Sequence, residues 1–119
     1  MMGPYKNLDV WNKAMDLVKE IYQQTNRFPK SESFGLTNQL QRAAVSIPSN
    51  IAEGYGRNTN SEVIHFLYIS LGSSNEIDTQ IEIAHQIGYL EENAYTALIA
   101  LNNDVNKMLH SLIYHRTQK

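Results

Sequence analysis

Four segments of the chain repeat apolar residues with a period close to 3.6, and no segment shows the alternation of a half-buried strand. The connections between the segments are short, which favours antiparallel neighbours. The sequence therefore predicts an all-α fold, an antiparallel up-down-up-down four-helix bundle forming one domain over residues 1–119. Its helices are expected at about residues 9–27, 34–55, 60–88 and 91–116.

The second segment carries a proline inside its apolar stripe, in the sequence SIPSNIAEGYGR. At about 100° per residue, the apolar residues before and after Pro48 fall in one arc, so the stripe stays in phase across the proline. Proline lacks an N–H and crowds the carbonyl of Ala44, four residues earlier. We therefore predict one continuous helix, kinked at Pro48 and stopped by Gly54 and Gly56.

Two features mark the third segment. Thr59 and Glu62 have the S/T-x-x-E spacing of a capping box, which predicts the start of the helix. The small residues Gly72, Ser73 and Ser74 lie in its middle, where glycine lowers helix propensity. Their presence makes sense if another backbone approaches the helix there.

The amino-acid composition indicates which classes of protein this chain can belong to. Hydrophobic residues make up 42% of the 119 residues and charged residues 18%, which is enough to build a globular core. The absence of cysteine excludes disulfides and thiolate metal sites. Neither a signal peptide nor a stretch of roughly 18 apolar residues is present. We expect a cytoplasmic protein that does not enter a membrane.

The apolar arcs are wider than a monomeric bundle needs. A surface helix buries a stripe of roughly 100°, whereas the first and fourth helices show arcs nearer ~180° and the second reaches ~200° when placed at 3.6 residues per turn. Large exposed apolar patches usually mark interfaces. The sequence therefore predicts a homo-oligomer.

The motif Glu-x-x-His, typical of di-iron sites in four-helix bundles, occurs at Glu62/His65 and again at Glu82/His85. Both copies lie on the third helix, ~30 Å apart along its axis and on different faces. The two copies cannot share a metal, so we expect these Glu and His residues to be ordinary surface side chains. We predict no metal, no cofactor and no catalytic residue.

The segment EGYGRNTN places two glycines and an arginine before a helix N-terminus, an arrangement that can hold a phosphate. The alternative is that the glycines end the second helix and Thr59 caps the third. A lone G-x-G is a weak signal, and the second interpretation is favoured.

Polar residues occupy one arc of the second helix, and we name this set the polar strip: Arg42, Ser46, Asn50, Glu53 and Arg57. Glu53 and Arg57 have the favourable i,i+4 order of an ion pair. Two interpretations stay open. The strip is either a solvated face, with Asn50 tying a kinked backbone together, or a polar network between helices or subunits that fixes their register.

The sequences FGLTNQLQRAAVSIPSNIAEGYGR and FLYISLGSSNEIDTQIEIAHQIGYL closely resemble the four-helix-bundle proteins encoded in intervening sequences of bacterial 23S ribosomal RNA genes. That family looks related to the accessory proteins of diversity-generating retroelements. The resemblance implies a homopentamer without established enzymatic activity. In the retroelement relatives it implies binding of nucleic acid and a reverse transcriptase through a basic surface.

This chain departs from the basic pattern, because its net charge is −2 and Gln41 precedes Arg42 where a double arginine is common. The expected function is a non-enzymatic, pentameric interaction or scaffold protein, with RNA or a nucleic-acid-handling protein as partner. The alternative is direct binding of RNA, associated with ribosomal RNA or a reverse transcriptase. The candidate nucleic-acid contacts are Arg42, Arg57, Lys107, Arg116 and Lys119.

Overall fold

The computed structural model describes residues 4–118. Its α-helices, numbered in chain order, are α1 (Asp9–Thr25), α2 (Leu36–Tyr55), α3 (Asn60–Gln86) and α4 (Glu92–Thr117). Single turns of 3₁₀ helix precede α1 at Pro4–Asn7 and α2 at Lys30–Glu32. No strand occurs within residues 4–118, and the predicted all-α, four-helix fold is confirmed.

The four helices form an elongated bundle of 45 × 24 × 20 Å. α2 packs beside α1 and α3, and α4 packs beside α3 and α1. Hydrogen bonds between α2 and α3 join Ser46 to Ser73 and Gln39 to Gln80, so residue numbers rise along one helix as they fall along the other. These are the contacts that antiparallel neighbours make.

α2 runs through Pro48 as one helix, as the unbroken phase of its apolar stripe predicts. Pro48 is buried. The carbonyl oxygen of Ile47, just before it, accepts a hydrogen bond of 2.8 Å from Ser70 Oγ on α3. Ser70 therefore ties α3 to α2 beside the proline, while the kink itself stays a prediction.

α1 ends at Thr25 rather than at residue 27. The backbone N–H groups of Arg27 and Phe28 bond to carbonyls three residues earlier, on Gln24 and Thr25. Such bonds tighten the last turn into a 3₁₀ turn, and Pro29 then prevents the helix from continuing.

Side chains and a glycine define the other helix ends. Thr59 Oγ1 accepts a hydrogen bond of 3.2 Å from the N–H of Glu62, which confirms the predicted cap of α3. Glu32 Oε1 accepts one of 3.1 Å from the N–H of Leu36 at the start of α2. Gly88, with φ of +88°, ends α3, and the N–H of Tyr89 then bonds back to Ala84 O at 2.8 Å.

Polar side chains of α3 and α4 meet inside the apolar core. Asn102, which shares the apolar seam of α4, is only 1% exposed. Its amide bonds to the side chain and the carbonyl of Ser74, and Asn106 Nδ2 donates to Ser74 Oγ at 3.1 Å. The buried polar groups of Asn102 and Ser74 thus have partners, as a stable interior requires.

Candidate interaction surface

The polar strip is centred on Ser46, which links two helices. Asn50 Nδ2 donates to the carbonyl oxygen of Ser46 at 2.8 Å and to its Oγ at 2.9 Å. Ser73 Oγ on α3 donates to Ser46 Oγ at 2.9 Å. Ser46 and Asn50 are half-buried. This part of the strip is a polar network between helices of the same chain.

The end of the strip is an ion pair. Arg57 Nη2 lies 2.7 Å from Glu53 Oε2, in the i,i+4 spacing read from the sequence. The guanidinium carbon also lies 4.7 Å from the centre of the Phe66 ring. Arg57 therefore has both a charge partner and an aromatic partner inside the chain.

Arg42 differs from Arg57. It is exposed and forms the ridge between a groove shared with α1 and a groove shared with α3. It makes no ion pair or side-chain hydrogen bond with any residue from 4 to 118. Its charge is free to meet another molecule.

The predicted nucleic-acid contacts do not form one patch. Arg116 is engaged, because its guanidinium carbon lies 4.8 Å from the centre of the Tyr55 ring and its Nη1 donates to Asn60 Oδ1 at 2.6 Å. Lys107 is exposed on α4. Arg42 and Arg57 are 15 residues apart, ~22 Å at the rise of a helix. Lys119 lies outside the described residues.

The two glycines of EGYGRNTN lie in different surroundings, Gly54 inside the last turn of α2 and Gly56 directly after it. A Cβ at Gly54 would lie 2.9 Å from Phe66 Cβ, so α2 and α3 approach each other closely at this glycine. Gly56 has an ordinary φ of −88°. With Thr59 capping α3 and Arg57 paired, the structure agrees with the interpretation that these residues end one helix and begin the next.

The Glu-x-x-His side chains bond to other protein groups. Glu62 Oε1 accepts from Thr59 Oγ1 at 2.9 Å, whereas His65 is exposed. His85 Nε2 lies 3.0 Å from Glu92 Oε1. No group of three or more His, Asp or Glu side chains that could hold a metal occurs among the described residues.

Glu82, the other member of the second motif, accepts a hydrogen bond of 2.5 Å from the hydroxyl of Tyr95. This bond, with desolvation and the charges of nearby carboxylates, raises the pKa of Tyr95 above its usual value of 10.0. The ring of His85 stacks on Tyr95, with centroids 3.8 Å apart. The cluster therefore joins α3 to α4 at one end of the bundle.

An apolar groove of about 350 Å³ runs between α1 and α2, and we name it the α1–α2 groove. Val45 on its rim is 41% exposed. The sequence indicates the wide apolar arcs of α1 and α2. The groove between them depends on how the two helices pack. It is lined by Tyr5, Trp11, Met15, Val18, Val45, Pro48, Ser49 and Ala52.

Comparison with known families gives one match that spans most of the chain. Residues 6–111 match the model of the 23S rRNA-intervening sequence proteins. The chain belongs to this family. The match includes the whole polar strip and every lining residue of the α1–α2 groove except Tyr5, whereas Arg116 and Lys119 lie beyond it.

A solved structure shares the fold. It is a protein of unknown function of the S23 ribosomal protein family from Bacteroides thetaiotaomicron VPI-5482. It superposes with a TM-score of 0.82 at 24% sequence identity, over 87% of this chain and 97% of that one. At this identity the likeness shows the fold alone. Among curated proteins, none matches the chain significantly.

Within residues 4–118, no helix is both long enough and apolar enough to span a bilayer.

Proposed function

We propose that this chain is a non-enzymatic scaffold that assembles with copies of itself, as a pentamer, and offers its outer surface to RNA or to a nucleic-acid-handling protein. Membership of the 23S rRNA-intervening sequence family supports a connection to ribosomal RNA genes. The partly exposed apolar α1–α2 groove supports the assembly.

The observation that carries the proposal is the α1–α2 groove. Trp11, Met15 and Val18 lie on the apolar stripe of α1 but are only half-buried, and they face the partly exposed Val45 across the groove. Tyr22, further along the same side of α1, is 43% exposed. Burial of apolar surface contributes roughly 25 cal/mol per Å², so covering this groove with another chain is favourable.

The side chains that most resemble catalytic groups support a role without catalysis. Glu82 and His85 bond to α4 residues and hold the two helices together. Glu62 belongs to a helix cap. These bonds give each group a structural role.

Light scattering after size-exclusion chromatography tests the assembly. We expect a mass five times that of the 13.6 kDa chain. The substitution Met15→Glu puts a charge into the groove and should dissociate the assembly. Thr96→Glu, at an exposed position of α4, is the matched control and should leave the mass unchanged. A monomeric wild-type protein at micromolar concentration would overturn the proposal.

Direct binding of RNA is the second candidate, and it is favoured by the exposed, unpaired charges of Arg42 and, on α4, Lys107. Binding through phosphates weakens steeply as salt rises. Arg42→Ala and Lys107→Ala should each weaken binding and lower the salt slope by about one. Lys19→Ala, which removes a lysine already paired with Asp16, is the control. If the purified protein carries no RNA and shows no salt-dependent binding of RNA, direct RNA binding is contradicted and a protein partner is favoured.

A further inference from the structure

A second groove lies between α2 and α3, and we name it the α2–α3 groove. It is lined by Gln39, Arg42, Ala43, Ser46, Ser73 and Glu76. Only one of these residues is apolar, so the lining differs from that of the α1–α2 groove. The groove has a volume of about 270 Å³. Pockets for drug-sized ligands hold roughly 300–1,000 Å³, so this groove suits a smaller molecule.

The α2 side of the groove has hydrogen-bond donors to spare. Arg42 is exposed and makes no ion pair within residues 4–118. Ser46 Oγ accepts hydrogen bonds of 2.9 Å from both Asn50 Nδ2 and Ser73 Oγ. These bonds occupy both lone pairs of the hydroxyl, so its own O–H is still available to donate. This side therefore offers a cation and a hydroxyl to an acceptor.

The α3 side has acceptors to spare. Glu76 is exposed, and its carboxylate has no cationic partner among the described residues. One turn further along α3, Gln80 is only 5% exposed, and its Oε1 is buried without a hydrogen-bond partner in that part of the chain. A buried acceptor left in this state is costly, so a donor that bonds to it is stabilising.

The buried amide of Gln80 adjoins the lining of the groove. Gln80 Nε2 donates to Gln39 Oε1 at 3.4 Å, which exceeds the usual range of roughly 2.7–3.2 Å for such a bond. Gln39 lines the groove and is exposed. A weakly held side chain is thus the contact between the groove and the unpartnered oxygen.

Arg42 and Glu76 line the same groove without pairing to each other. No guanidinium nitrogen of Arg42 lies within 4.0 Å of a Glu76 carboxylate oxygen. A direct ion pair between two exposed side chains contributes little stability, so a ligand competes with it easily. A molecule with opposite charges at its two ends satisfies both groups at once.

We propose that the α2–α3 groove binds a small zwitterion, an α-amino acid. Its carboxylate accepts hydrogen bonds from Arg42 and Ser46 on α2. Its ammonium group has three N–H donors and bonds to Glu76 and Gln80 Oε1 on α3. Among the lining residues only Ala43 is apolar, so the groove recognises the charged ends of the ligand rather than a particular side chain. The site goes beyond the proposed scaffold role and depends on neither self-association nor RNA.

An RNA phosphate matches this groove less well than a zwitterion does. It can pair with Arg42, but it lacks the N–H donors that Glu76 and Gln80 Oε1 require. The Glu76 carboxylate also repels it. Glu76 therefore distinguishes the two ligands, because it attracts an ammonium group and opposes a phosphate.

L-Alanine and two of its fragments test the site. Ligand-observed saturation-transfer NMR detects weak binding to a protein in any oligomeric state. We expect saturable binding of L-alanine at neutral pH. Propionate lacks the ammonium group and ethylamine lacks the carboxylate, so each should bind at least tenfold more weakly. If propionate binds as well as L-alanine, the groove is an anion site only and the proposal is wrong. A lack of saturable L-alanine binding would also overturn it.

Variants of the two charged residues place the ligand in the groove. Arg42→Gln and Glu76→Gln change exposed side chains, so circular dichroism should show unchanged helix content. Each should weaken L-alanine binding at least tenfold. Arg27→Gln and Glu91→Gln, at exposed positions outside the groove, are the matched controls and should bind as the wild type does. Wild-type affinity for L-alanine in Arg42→Gln or Glu76→Gln would overturn the assignment.

Discussion

Ser74 and Asn102 bond to each other twice across the contact between α3 and α4. Ser74 Oγ donates to Asn102 Oδ1 at 2.9 Å, and Asn102 Nδ2 donates to the carbonyl oxygen of Ser74 at 3.0 Å. Asn102→Ala removes both bonds and leaves buried groups without partners, so it should lower the free energy of unfolding by about 1–3 kcal/mol. Urea denaturation measures the change. Asn103→Ala, at the exposed neighbouring position, should change it by less than about 0.5 kcal/mol.

Asn50→Ala tests the role of the polar strip. Asn50 bonds only to Ser46 of its own helix among the described residues. If the strip fixes the register of an assembly, the substitution should shift the oligomer mass in light scattering while circular dichroism shows unchanged helix content. Asn58→Ala, in the exposed connection after α2, is the control. If the oligomer mass is unchanged and the stability is lower, the result would favour the other interpretation, in which the strip is a solvated face and Asn50 ties the backbone of α2.

Tyr95→Phe tests the bond to Glu82 through its pH dependence. The pKa of Tyr95 is raised in the folded state, so the unfolded chain loses this proton at lower pH than the folded chain does. The stabilisation is therefore complete below the unfolded value of 10.0 and is lost as pH rises through the folded pKa. The stability difference between wild type and Tyr95→Phe should shrink above pH ~10. Tyr114→Phe, at a residue that is 62% exposed, should show no such change.

Gly54→Ala tests the close approach of α2 and α3. The new Cβ would lie 2.9 Å from Phe66 Cβ and 3.3 Å from the carbonyl oxygen of Val63. Relieving this overlap requires the helices to move apart, which should cost about 1–3 kcal/mol of unfolding free energy. At Gly56 the nearest atom to a Cβ would be 3.5 Å away. Gly56→Ala should therefore be close to neutral, and an equal loss in both variants would contradict the packing argument.

The helices could be predicted because each buries a continuous stripe of its own residues. The cap at Thr59 and the ion pair of Glu53 with Arg57 are likewise local, at spacings of three and four residues, and the structure contains both. In the same way, the arc of the polar strip on α2 followed from helical geometry alone.

The remaining features depend on residues that are distant in sequence. Arg116, a candidate nucleic-acid contact, lies against Tyr55, 61 residues away, and the spacing of α4 does not indicate this partner. Ser73 joins the polar strip from another helix, and nothing in the spacing of α2 indicates this partner. The α1–α2 groove depends on how far two helices stand apart, which sequence periodicity does not determine.

Glu32 uses its two carboxylate oxygens at two distant places. One accepts from the N–H of Leu36 at the start of α2, and the other accepts from the hydroxyl of Tyr89, 57 residues away, after α3. The connection before α2 and the connection after α3 thus depend on the same side chain. Local unfolding of one should release the other. In hydrogen exchange, the amides of the two connections should therefore open together, as a single cooperative unit.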